Sequence, residues 1–216
     1  MQTGPSSSVS GHVQVSSVAE LWRYPVKSMM GEELNSSDVT DGGLLGDRQF
    51  AVVDRAPPGR SAGPRARASG ATSSTSGPPE PPRMGATAPR ARITLPDGTE
   101  VTTGQTDLEQ VLSRVFGRDV GVEEARPGQR STGATAEEYW PDMAGLDYRD
   151  TVTDIEMPAR TFFDISVVHL LTTATLDRLR ALYPQGRFEV RRFRPNIVIS
   201  TPEKEGFAEN AWVGAP

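Results

Sequence analysis

The chain of 216 residues contains no cysteine. That absence excludes a disulfide scaffold, a thiolate zinc site and a thiol nucleophile within these residues. Lysine is almost missing too: of 23 Lys and Arg residues, only Lys27 and Lys204 are lysines. A G+C-rich coding sequence accounts for such a bias, but it makes a lysine inside a patterned segment worth attention. Positive charge is not in excess. With 28 Asp and Glu the net charge is −5, which argues against a nucleic-acid partner while leaving room for a local basic pocket. No apolar run approaches the roughly 18 residues of a membrane helix. Met1 to Ser17 show neither the basic start nor the apolar stretch of a signal peptide, so cytoplasmic residence is the expectation. Gly-x-Gly-x-x-Gly, Walker and Gly-x-Ser-x-Gly sequences are all absent. Dinucleotide enzymes, P-loop enzymes and α/β-hydrolases thus lack their signatures.

One absence is local. Residues 56–92 hold no Val, Ile, Leu, Phe, Tyr or Trp, but eight Pro and six Arg. Such a stretch cannot bury enough apolar surface to offset its ordering entropy, and it is long for a loop. It is expected to be a low-complexity insertion. Residues 1–16 are expected to be a disordered tail, and 126–136 a linker. The ordered parts on either side read as two small units, 17–125 and 137–216, within the range that length allows.

Short strands dominate the remainder. Val18–Tyr24 is rich in β-preferring side chains and stops at Pro25. Turns follow at Asp41-Gly42-Gly43 and Gly46-Asp47, then a strand over Arg48–Val53. Ile93–Leu95 and Thr99–Val101 flank Pro96-Asp97-Gly98, a hairpin signal. The spacing of Leu108, Val111, Leu112, Val115 and Phe116 predicts a helix, with Thr106 and Glu109 as a capping box and Gly117 as its stop. A strand is expected over Asp119–Glu123. Glu137–Glu156 reads as an irregular acidic loop. A second helix is capped by Thr172 or Thr173 and presents Leu176, Leu179 and Leu182 on one face. Arg187–Ser200 reads as an extended segment broken at Pro195. The fold class is therefore mostly β, with a few short helices.

Two constellations could hold an anion. In Tyr24-Pro25-Val26-Lys27-Ser28 a lysine and a hydroxyl stand side by side after a strand, as a point charge and a donor for an oxyanion, or simply as an exposed turn. In Arg191-Arg192-Phe193-Arg194-Pro195-Asn196 three guanidinium groups lie within four residues. That density suits a phosphate, and equally suits an edge strand whose solvated arginines protect it from pairing. In Gly46-Asp47-Arg48 the acid could pair with Arg48 or cap a turn, and the triplet is uninformative alone. Asp164, Ser166 and His169 invite a hydrolase triad that nothing else supports. His169 reads as a core or wall residue, and with His12 in the tail the histidines make a poor metal site.

Taken in order, five segments resemble MOSC-domain proteins. They are Leu21–Ser28, Gly46–Asp54, Asp164–Leu176, Phe193–Ser200 and Gly206–Gly214. The arrangement is similar to the amidoxime-reducing-component branch, in which a β-barrel subdomain precedes the MOSC core. The resemblance implies a barrel-like N-terminal subdomain and an incomplete MOSC barrel. It implies the molybdenum cofactor, a molybdopterin with a phosphate tail, in proteins that reduce N-hydroxylated or related N–O small-molecule substrates, deliver sulfur or bind the cofactor, with an electron-donor protein as a candidate partner of the oxidoreductases. It carries Lys27, Ser28 and Arg48 to the pterin and its phosphate, Arg194 and Asn196 to the cofactor from the MOSC side, and Asp164 and Ser166 to a further contacting stretch. Pyridoxal phosphate is a minor alternative, since no motif singles out a Schiff-base lysine.

Two departures qualify that expectation. The family ligates molybdenum through a cysteine beyond the Trp-Val-Gly segment, and this sequence has none. The family also continues through strands where residues 56–92 stand here. The expectation is a truncated protein with an out-of-frame middle stretch and an early stop at Pro216, with little activity alone. Its alternative is a non-catalytic binding or carrier module for a phosphate-bearing ligand.

Overall fold

The computed structural model describes residues 16–55, 72–75, 90–125, 135–138, 151–154, 162, 166–202 and 206–213. The tail before residue 16 and most of the expected insertion and linker lie outside them. The described part is strand-rich with short helices, as the sequence predicts. Its strands form five separate sheets, and among the described residues none closes into a barrel.

The sheet that positions the site joins the two ends of the chain. Strand β1 (Ser17–Arg23) lies between β2 (Glu32–Leu34) and the last strand, β13 (Ile197–Ser200), both antiparallel to it. Leu21 thus faces Leu34 on one side and Ile197 on the other. On its far edge β13 pairs in parallel with β12 (Leu170–Thr172). A parallel pair needs a crossover. Helix α2 (Thr173–Leu182) and the one-turn helix α3 (Val190–Phe193) lie on that crossover. The ladder therefore crosses the boundary between units 17–125 and 137–216 drawn from composition.

The main core belongs to the earlier half. After β3 (Val39–Thr40) and β4 (Gly43–Leu44), β5 (Phe50–Asp54) pairs with β9 (Val120–Glu124). The hairpin β7 (Ala91–Thr94) and β8 (Glu100–Thr102) forms where the turn residues place it, with Gly98 at φ 86° and Asp97 accepting the Thr99 N–H at 2.9 Å. Helix α1 (Leu108–Phe116) buries Leu108, Leu112 and Phe116 against Val26, Phe50 and Ile93. Gly117 ends it in the left-handed conformation, as expected.

The capping box at its start does not form. Asp107 is the cap residue, and no side chain caps the helix. Glu109 instead accepts the Val122 N–H at 3.0 Å and pairs with Arg55. Its carboxylate serves β9, a partner distant in sequence, which outcompetes the local bond.

Two further segments differ from the sequence reading. Thr72–Thr75, inside the expected insertion, is strand β6, paired with β7 and bridged through Thr72 to Met30. Its threonines suit a strand, and backbone pairing needs no aliphatic side chain. Thr135–Glu138 (β10) and Thr151–Asp154 (β11) pair within what reads as a linker and an acidic loop.

Helix α2 begins as predicted: Thr172 Oγ1 accepts the Thr175 N–H at 3.1 Å. Its buried face is Ala174, Thr175 and Leu176, whereas Leu182 is 57% exposed. The predicted leucine face thus holds at Leu176 and fails at Leu182, because the helix N-terminus, not its length, meets the sheet. That N-terminus is fastened to a 3₁₀ helix, Ala208–Trp212. Glu209 accepts hydrogen bonds from Thr172 Oγ1 at 2.8 Å and Thr175 Oγ1 at 2.7 Å, and the Phe207 N–H donates to Thr175 Oγ1 at 3.0 Å.

Burial raises the Glu209 carboxyl, but its own backbone N–H, Thr175 and Thr172 outweigh that and hold it below the ordinary 4.5. A lowered folded value means that the clasp is fully present above pH 4.5 and is lost as pH falls through the folded value. Acidification is expected to shift the Trp212 indole resonance before the protein unfolds, and Glu209→Ala to produce the same shift at neutral pH. A resonance unmoved by either would show that Glu209 does not fasten this segment.

Candidate functional site

The site is built where three turns meet. Pro25 offers no N–H to a sheet, so β1 ends at Arg23. The chain then curls through Tyr24–Met29, held by Lys27 N–H to the Phe50 carbonyl at 2.8 Å and Phe50 N–H to the Pro25 carbonyl at 3.0 Å. The second turn is Gly46-Asp47-Arg48, whose Arg48 N–H donates to the Tyr24 carbonyl at 2.8 Å. The third is Arg194-Pro195-Asn196, before β13.

Backbone conformation marks all three turns. Among the described residues, Ser28, Arg48, Arg194 and Phe207 are the non-glycine positions with positive φ, at 65°, 46°, 53° and 64°. A side chain in this region costs on the order of 1–2 kcal/mol and persists where surrounding contacts impose it. Arg194 adds to this by preceding a proline, which steers residues toward extended backbone.

Asp47 is the buried hub. It accepts the Tyr24 N–H at 2.6 Å, pairs with the Arg48 guanidinium, and accepts the Asn196 amide at 3.0 Å. Burial pushes its carboxyl above the ordinary range, while Arg48, the Tyr24 N–H and Asn196 oppose that rise. Asn196 is fully buried and its amide is spent inside the protein. Nδ2 donates to Asp47 and to the Trp22 carbonyl at 3.3 Å, while Oδ1 accepts the His169 N–H at 3.0 Å and Arg48 Nη1 at 3.4 Å.

The arginine run does not form an extended edge. Val190–Phe193 is one helical turn, after which Arg194 reverses the chain in the left-handed conformation. That reversal separates the charges. Arg191 and Arg192 stay exposed, whereas Arg194 turns inward, donates to the Met29 carbonyl and lies over the Tyr24 ring at 4.3 Å. Arg48 lies over the same ring at 5.0 Å and donates to the Arg194 carbonyl at 3.2 Å. Tyr24 is fully buried, and its hydroxyl has no hydrogen-bond partner. Burial pushes the phenol up to about 12 against the pull of Arg194 and Arg48. His169, half-buried beside Arg194, is held below its ordinary value first by burial, with the Arg194 carbonyl opposing.

Residues 15–71 match the family model of the MOSC N-terminal beta barrel domain. No curated protein and no solved structure matches the chain. The matched segment holds Tyr24, Lys27, Ser28, Asp47 and Arg48, and it runs past Asp54 into the stretch expected to be a low-complexity insertion. Arg194 and Asn196 come from outside it.

The structure gathers Arg48, Arg194 and Asn196 around Tyr24. Lys27, half-buried, and Ser28, exposed, sit on the turn that Arg194 grips at Met29. Ser166 is exposed and donates to the Val168 carbonyl at 3.2 Å, a local turn contact. Asp164 lies outside the described residues. Sequence reasoning offers Asp47 as a partner of Arg48, which the structure shows, but places neither Asp47 nor Tyr24 in the site. The signal for both was weak: an acidic residue after a glycine, and an aromatic before a proline. Among the described residues, no group of three or more His, Asp and Glu side chains could hold a metal ion.

Proposed function

We propose that this chain binds a phosphate-bearing ligand at the junction of its three turns, the pterin of the molybdenum cofactor being the ligand that the match of residues 15–71 to a MOSC family model favours. The observation that carries the reading is the convergence of Arg48 and Arg194 on one buried ring, 146 residues apart in sequence and bonded to each other at 3.2 Å. Arginine suits phosphate because its planar fork offers paired donors. Lys27 and Ser28 add a point charge and a hydroxyl on the adjoining turn. In this reading Lys27, Ser28 and Arg194 face the phosphate, while Arg48, Asp47 and Asn196 hold Arg194 in place.

The residues fit the anionic part of the cofactor and not its metal. The Arg194 guanidinium, a lysine and an exposed hydroxyl form a suitable donor set for a phosphate. A soft thiolate for molybdenum has no source in these 216 residues. When bound in an oxidoreductase of the amidoxime-reducing branch, that cofactor supplies the redox chemistry at its metal. No redox step is assigned to the residues of this chain, which bind and orient. The reading that follows is a binding or carrier module, with no turnover of N-hydroxylated substrates by this chain alone.

Isothermal titration with hydroxymethylpterin phosphate, which carries pterin and phosphate without a metal, tests the reading. Binding is expected, with Lys27→Ala and Arg194→Ala each weakening it by about 1.5–3 kcal/mol, the worth of a charged hydrogen bond. Unchanged affinity in both variants would remove the site from consideration. Pyridoxal phosphate is the comparison ligand. Tighter binding of it, with an absorbance change lost in Lys27→Ala, would favour that second ligand.

A further inference from the structure

Two like charges do not collect in a protein interior without something to hold them. Arg48 is buried and paired with Asp47, and Arg194 is half-buried. Both guanidinium groups nevertheless approach a single aromatic ring, at 5.0 and 4.3 Å from its centre. An aromatic face is negative and attracts cations, most strongly where water is excluded. The Tyr24 ring is fully buried, so its attraction is little screened.

The ring is itself held tightly. The Tyr24 N–H donates to Asp47 at 2.6 Å, and the Trp22 ring stacks beside it, with centres 6.5 Å apart and planes 17° from parallel. Gly31 backs it so closely that an added Cβ would lie 2.5 Å from Tyr24 Cδ1. Both arginines that meet the ring do so from left-handed backbone, which aims their side chains inward from separate turns. The hydroxyl takes no part, since it is buried without a partner.

We infer that the Tyr24 ring is the platform on which Arg48 and Arg194 are held together, which makes Tyr24 a positioning residue of the phosphate site and not a ligand-contacting one. The inference rests on the phosphate-binding reading for its functional consequence, but its physical content can be read without any ligand. The ring, not the hydroxyl, does the holding. Tyr24→Phe therefore keeps the function, and an aliphatic side chain of similar bulk loses it.

The test uses the full chain labelled at arginine. In the free protein, the side-chain N–H resonances of Arg48 and Arg194 are expected to show upfield ring-current shifts, assigned by loss in Arg48→Lys and Arg194→Lys. Those shifts are expected to persist in Tyr24→Phe and to vanish in Tyr24→Leu. Titration with hydroxymethylpterin phosphate is expected to give affinities within about threefold of wild type for Tyr24→Phe and weaker by roughly tenfold or more for Tyr24→Leu. Should Tyr24→Leu not fold, the shifts in wild type and Tyr24→Phe decide the matter. Unshifted arginine resonances in the wild type would overturn the inference. So would full affinity in a folded Tyr24→Leu. A loss in Tyr24→Phe equal to that in Tyr24→Leu would overturn it as well, by making the hydroxyl a ligand contact. If the wild type shows the shifts but binds no probe, the phosphate-binding reading fails while the platform stands.

Discussion

Asp47→Ala is expected to destabilise the protein by about 3–5 kcal/mol, the cost of leaving one partner of a buried ion pair uncompensated. The side chain of Asp47 is fully buried and that of Arg48 is 10% exposed, so water cannot replace the lost carboxylate. The substitution also strips an acceptor from the Tyr24 N–H and from the Asn196 amide. Those two bonds join the first turn to the segment that enters β13, so the loss falls on the contact between distant parts of the chain. Asp47→Asn keeps the shape and one acceptor oxygen but not the charge, and is expected to lose less. Urea unfolding measures both. A loss below about 1 kcal/mol for Asp47→Ala would mean that water or a rearranged side chain compensates Arg48.

Gly31→Ala is the second large effect. An added Cβ would sit 2.5 and 2.8 Å from two atoms of the Tyr24 ring and closer still to the Arg23 carbonyl oxygen. A carbonyl within the β1–β2 ladder cannot swing aside, and the ring is fixed between its neighbours. Overpacking of this kind costs about 1–3 kcal/mol, and the upper end is expected here because backbone is struck. Gly104 supplies the contrast. A Cβ there would meet the distal atoms of Arg90 at 2.7 Å, an exposed side chain that can move. Gly104→Ala is therefore expected to change stability by only a few tenths of a kcal/mol. Equal losses in the two variants would show that the tight packing behind Tyr24 is not what fixes that ring.

Local features were legible in the sequence. The hairpin around Pro96-Asp97-Gly98, the stop at Gly117 and the cap at Thr172 each depend on residues a few positions apart. What escaped depends on distant partners. Glu109 has the spacing of a capping residue, yet its carboxylate goes to β9. Arg191, Arg192 and Arg194 look equivalent in sequence, and only the left-handed turn at Arg194 sends one of them inward. Strand β6 shows no apolar pattern because pairing with β7 forms it. Asp47 was unreadable for the same reason. Its importance lies in Tyr24 and Asn196, 23 and 149 residues away.

The central claim is that a built site, not a generally basic face, takes the phosphate. The measurement that tests it most directly compares Arg194→Ala with the double variant Arg191→Ala/Arg192→Ala by titration with hydroxymethylpterin phosphate. The double variant removes two positive charges, but both arginines are exposed and outside the cluster. The single variant removes one, from over the Tyr24 ring. A built site predicts roughly tenfold or greater loss in Arg194→Ala and little change in the double variant, whose exposed charges are screened by salt. The larger loss in the double variant would contradict it and reduce the binding to a diffuse attraction by exposed arginines.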